Sequence, residues 1–194
     1  IPRLPGFLAR YPLLRVDLRV SDAYQDLVAE GVDVAIRLGR LADSAFGARK
    51  LAVLPRFVVA APSYLKVRGM PRHPADLANH DCIVGSSGLG RECWLFKRRS
   101  TIISVDVAGR IQTDSAPGRY ASALAGLGIA QVSAAMCAAE LRSGALVALL
   151  AGYALEPVEV HAVFPAGPRP SFKVQAFTDY MMAALDTGPL APAA

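Results

Sequence analysis

Any chemistry in this 194-residue chain has to come from a small set of side chains. His73, His80 and His161 are scattered, without the HExxH or paired-ligand spacing that brings two imidazoles onto one metal. No GxSxG elbow, Walker sequence or GxGxxG occurs, so neither a catalytic serine nor a nucleotide cofactor is indicated. Gly126-x-Gly128 is half of a dinucleotide fingerprint, but it follows a helical pattern and precedes a strand, the reverse of the order that cradles a pyrophosphate. His80-Asp81-Cys82 sets a base, an acid and a nucleophile side by side. Catalytic triads assemble from distant positions, so an adjacent trio in a turn reads as structural. No catalytic group, metal or cofactor is expected.

What does recur is a polar loop at the C-terminal end of a strand. Ser21-Asp22, Arg37-Leu38-Gly39, Ser86-Ser87 and Thr113-Asp114-Ser115 are all of this kind. Hydroxyls and unpaired backbone N–H groups at helix starts donate to anionic or polar groups. One such loop is an ordinary helix cap. Four of them in two α/β halves predict one small-ligand cleft to which both halves contribute. Arg37 is the cation of the set, either a ligand clamp or a solvated strand end.

The elements that must position these loops follow from periodicity. In residues 21–39, Ser21 and Asp22 are N-cap types, and Tyr24, Leu27 and Val28 give one apolar helical face. Gly31 then ends the helix, and Val32, Val34 and Ile36 predict a strand that delivers Arg37 at its end. Upstream, residues 2–10 read as a helix with Leu4, Phe7 and Leu8 on one face, stopped at Tyr11-Pro12. Residues 14–20 alternate apolar and charged side chains, a half-buried strand. Helix, strand, helix, strand is the rhythm of a parallel sheet covered by helices.

Two apolar runs at 48–61, broken at Pro55, follow without an intervening helix and mark a change of topology. A short helix at Pro62, one helical turn at 74–77 and a brief strand at Ile83-Val84 come next. Short strands fill 89–111, with Lys97-Arg98-Arg99 at a solvated turn and Trp94 in the core. Pro117 stands in the first turn of a helix that runs to Gly126. Strand 129–132, a helix to Gly144, and strands 146–150 and 158–164 complete the pattern. A last helix places Phe172, Phe177, Met181 and Leu185 on one face.

Composition agrees with a globular α/β chain: 53% hydrophobic, 19% charged, with a formal charge of +5. That balance excludes a disordered chain and favours acidic ligands only weakly. Three dispersed cysteines without CxxC predict buried free thiols in a reducing compartment. The uncharged run 120–139 is long enough to span a bilayer, but Ser122, Gln131, Ser133 and two glycines break it, so a soluble chain is expected.

Taken in order, the phrases FLARYPLLRVDLRVSD, DLVAEGVDVAIRLGRLADSAFGARKLA, AAPSYLKVRGMPRHPADLANHDC, ALAGLGIAQV and FPAGPRPSFKVQAFTDYM resemble the effector-binding domain of LysR-type bacterial transcriptional regulators. The resemblance covers residues 1 to about 186. It implies an α/β fold of two Rossmann-like subdomains joined by two crossover strands, as in type 2 periplasmic binding proteins. Residues 1–61 plus 162–194 would form the first subdomain and 62–161 the second, with 48–61 and 158–164 as crossovers.

The resemblance also implies a small-molecule effector, polar or anionic, contacted at Ser21, Asp22, Arg37, Leu38, Gly39, Ser86, Ser87, Thr113, Asp114 and Ser115. It implies a cytoplasmic homodimer or homotetramer that meets DNA only through an N-terminal helix-turn-helix domain this chain lacks, and no membrane. Asp114-Ser115 stands where relatives often show Asn-Asp. A carboxylate there disfavours an anion unless Arg37 or Arg119 offsets it. The rival on the same fold is a periplasmic solute-binding protein of a transporter.

Overall fold

The structure, a computed structural model, describes residues 1, 3–20, 27–39, 41, 46–85, 90–165 and 170–185. In chain order its elements are α1 (Leu4–Arg10), β1 (Ala35–Leu38), β2 (Gly47–Leu54), β3 (Arg56–Ala60) and α2 (Pro62–Arg68). A 3-10 helix at Pro74–Asn79 leads to β4 (Ile83–Val84), β5 (Arg91–Arg98), β6 (Thr101–Ala108), β7 (Ile111–Gln112) and α3 (Ala116–Leu124). Then come β8 (Ala130–Ser133), α4 (Ala134–Ser143), β9 (Val147–Leu149), β10 (Ala154–Leu155), β11 (Val158–Phe164) and α5 (Phe172–Leu185). Among the described residues they form two compact units, 1–53 with 158–185, and 54–157.

The first unit is built on a sheet ordered β1-β11-β2, in which β1 runs antiparallel to β11. Val160, Ala162 and Val163 of β11 are buried. Phe7 of α1 is buried as well, edge-on to Phe177 of α5 with ring centroids 5.4 Å apart. Two expectations fail here. Residues 14–20 form no strand, and Leu18 and Val20 are exposed: none of the described strands pairs with the segment, and its Arg19 bonds to Asp17 and to the Glu30 carbonyl instead. The face of α5 is rotated too: Val174, Ala176 and Thr178 are buried while Phe172 is 75% exposed.

The second unit holds the larger core. Its sheet β8-β3-β9 is antiparallel throughout. The parallel sheet expected from the rhythm of residues 1–37 does not form in the first unit either, since 14–20 make no strand and β1 runs antiparallel to β11. Parallel pairing occurs between β4 and β7 and at the Cys82–Ile129 bridge. The hairpin β5-β6, with β10 on its other edge, turns Trp94, Phe96, Val105 and Val107 inward. Each such side chain fully buried is worth roughly 1.5–3 kcal/mol. Backbones approach closely where β4 begins. A Cβ on Gly109 would lie 1.7 Å from the Cys82 carbonyl oxygen, and one on Gly128 2.4 Å from that of Asp81. The run 120–139 is α3, β8 and α4, and among the described residues no helix is long and apolar enough to cross a membrane.

Candidate functional site

Because β4 and β7 are parallel neighbours, their C-terminal ends open on the same side. The Thr113 N–H donates to the Val84 carbonyl at 2.9 Å, which carries the pairing one residue past β7. Gly85 and Thr113 therefore leave the sheet side by side. The Thr113 hydroxyl accepts from the Ser115 N–H at 3.1 Å, and the Ser115 hydroxyl accepts from the Gly118 N–H at 3.3 Å, capping α3. Asp114, between them, is exposed.

Charged side chains converge on this strand end. Arg119, within the first turn and a half of α3, donates from Nε to the Thr113 carbonyl at 3.4 Å. Its guanidinium lies 3.5 Å from the Glu92 carboxylate, and both side chains are substantially buried, 18% and 31% exposed. The same Glu92 oxygen accepts from the buried Gly85 N–H at 2.8 Å. Arg56, at the start of β3, donates to the amide oxygen of Gln131, a buried residue on β8. Burial, and next the nearby charge of Arg119, hold the Arg56 guanidinium below its usual pKa; Glu92 and Glu156 work against the shift. The result is one cation and one backbone N–H on the Glu92 carboxylate, with a second cation, Arg56, near enough for the charges of Arg119 and Glu92 to act on it. Such a set orients anionic or polar groups and contains no activated nucleophile.

The predicted site residues fall as follows. Thr113, Asp114 and Ser115 lie on this strand end. Arg37 belongs to the first unit and sits inside β1 rather than beyond it, because the strand starts three residues later than expected; it stands opposite His161 of β11. Leu38 is 60% exposed, and Gly39, with φ of 92°, donates its N–H to the Glu159 carbonyl at 2.8 Å. Ser21, Asp22, Ser86 and Ser87 lie outside the described residues. Arg56, Glu92 and Gln131 were not anticipated. A signal for Glu92 exists, since it shares the inward phase of β5 with Trp94 and Phe96.

His80-Asp81-Cys82 is a packing motif, as expected. The Tyr64 hydroxyl meets His80 Nδ1 at 3.2 Å and accepts from the Asp81 N–H at 2.9 Å, and Arg68 pairs with Asp81 at 3.7 Å. Burial drives the Cys82 thiol up to about 12, which leaves it inert as a nucleophile at neutral pH. All three cysteines are free, and Cys93 is exposed rather than buried because it takes the outward phase of β5.

Comparison with known proteins decides what this arrangement belongs to. The sequence profile of the LysR substrate binding domain matches residues 1–186. The chain belongs to the LysR substrate binding domain family. Among its relatives is the HTH-type transcriptional activator AaeR of Escherichia coli strain K12, 34% identical over 179 residues, 90% of this chain and 58% of that protein. A putative transcriptional regulator of Pseudomonas aeruginosa is 35% identical over 77% of this chain and 50% of its own length. The chain thus spans about half to three-fifths of the curated relatives it matches.

The LysR-type fold is equally clear. The regulatory domain of CrgA, a LysR-type transcriptional regulator from Neisseria meningitidis, superposes with a TM-score of 0.82 at 26% identity, over 95% of this chain and 90% of that one. Full-length AphB, the Vibrio cholerae virulence activator, gives 0.77 at 25% identity over 95% and 62%. The fold is therefore the periplasmic-binding-protein-like α/β architecture of LysR-type regulatory domains, and the relatives are regulators rather than transporters.

Proposed function

We propose that this chain is the effector-sensing part of a LysR-type transcription factor that binds a small polar or anionic metabolite and is not an enzyme. The observation that carries this reading is the convergence of Gly85, Thr113, Ser115 and Arg119 at one strand end of a LysR-family domain. The loops of Ser21-Asp22, Arg37 to Gly39 and Ser86-Ser87 complete the effector contacts. Effector binding shifts the population between two arrangements of the regulator by as much as its affinity differs between them. The parent protein reaches DNA through a helix-turn-helix domain, as the names of its relatives suggest, and in this reading works in the cytoplasm as a dimer or tetramer.

Titration calorimetry against a panel of small metabolites tests this. At least one compound binds, and Arg37→Ala and Thr113→Val each weaken it about tenfold, the loss of one hydrogen bond to a charged or polar group. Undiminished affinity in both variants removes these residues from the site. A panel in which no compound raises the melting temperature points to a regulator without effector.

A further inference from the structure

Glu92 is an odd residue for its position. It faces inward on β5 next to Trp94 and Phe96, and its cross-strand partner on β6 is the buried Val107. A carboxylate there gives up hydration, and the hairpin's apolar neighbours return nothing for it. Its partners come from two other elements instead: the Gly85 N–H at the end of β4, 2.8 Å away, and the Arg119 guanidinium of α3, 3.5 Å away. A backbone N–H and an arginine converging on one carboxylate make an anion site. These donors stand at the C-terminal end of the parallel pair β4-β7, beside Thr113 and Ser115. Arg56, close enough to Arg119 to feel its charge, adds a second cation whose direct partner is the neutral amide of Gln131.

We propose that Glu92 is a built-in carboxylate occupying the anion position of the second unit, and that the effector is a small carboxylate that takes the Gly85 N–H and Arg119 from it. This rests on the effector-sensing reading above and assigns the chemical class. Glu92 then sets the response threshold. An incoming anion must exchange with a tethered one, so weak anions are rejected and a carboxylate with further contacts to the loops is selected.

The test uses acetate, with acetamide as its uncharged counterpart, titrated at constant ionic strength into wild type, Glu92→Gln, Arg119→Gln and the double variant. Binding is read from the melting temperature and from the Gly85 amide resonance. The Gln amide oxygen still accepts from the Gly85 N–H, so E92Q keeps its fold while Arg119 loses its counter-charge. Glu92→Asp, which shortens the reach, serves as the second variant with the same readout. E92Q binds acetate at least about tenfold more tightly than wild type, the size of one charge-assisted hydrogen bond. Acetate moves the Gly85 resonance, acetamide does not, and the gain disappears in the double variant.

Equal acetate affinity in wild type, E92Q and E92D overturns the proposal and leaves Glu92 a structural counter-ion. A gain that survives Arg119→Gln overturns it as well. If acetate fails while another metabolite stabilises the wild type, the effector-sensing reading stands and the role of Glu92 falls. If no compound stabilises any variant, both fall.

Discussion

The three cysteines show how far burial alone separates identical side chains. Cys82 and Cys137 are buried, and desolvation pushes their thiols up to about 12 and about 11. Cys93 is exposed, its sulfur 3.0 Å from the Ser104 hydroxyl. A disulfide-exchange reagent at pH 8 therefore modifies one thiol in the native chain and all three in denaturant, and Cys93→Ser abolishes the native reaction. Because the folded chain holds the Cys82 proton more tightly than the unfolded chain, this residue has no effect on stability below its ordinary pKa of 9.0 and costs stability as pH rises from there towards about 12. Denaturant unfolding at pH 7 and pH 10 should show that loss, and Cys82→Ala should reduce it. Period-2 alternation in β5 made this difference legible in principle. It also marked Glu92 as inward, but nothing local says that Gly85 and Arg119 wait for it there.

Among the elements, those with strong local signals form where expected. Pro55 divides β2 from β3, Pro117 sits in the first turn of α3, Gly144 closes α4 with φ of 76°, and β11 spans Val158–Phe164 as read. Segments whose state depends on a neighbour do not. Residues 14–20 have the alternation of a strand, but none of the described strands pairs with them. At the candidate site, Ser115→Ala removes the α3 cap and should cost about 1 kcal/mol by thermal denaturation. Gly109→Ala should cost clearly more, because its Cβ would meet backbone, the Cys82 carbonyl oxygen at 1.7 Å, which no side-chain rotation relieves. A Gly109→Ala melting temperature equal to that of wild type would show that β4 and the turn after β6 are not in this close contact.

On the scale of the whole molecule, the chain passes between its two units twice among the described residues, at Val53-Leu54 and at Pro157-Val158, and each unit has its own buried side chains. Phe7 anchors the first through its contacts with Tyr11, Phe177 and Tyr180. Phe7→Ala should cost about 3–5 kcal/mol. Hydrogen exchange should then speed up first at Val160, Ala162 and Val174, while Val59, Ile83 and Ile129 keep their protection. Loss of protection in both sets together would show that the units unfold as one. The sequence by itself determined the α/β class, the family, the polar turn Thr113 to Ser115 after β7 and most element positions from 47 to 164, because caps, proline, glycine and alternation act over a few residues. Only the tertiary structure decided that strands pair largely antiparallel, that Arg37 stands opposite His161 in one unit while Thr113 to Ser115 lie in the other, and that Arg56 meets Gln131 and Arg119 meets Glu92. Those outcomes depend on which distant segments share a sheet, and a half-buried charge reveals its purpose only when its partners from other elements are in place.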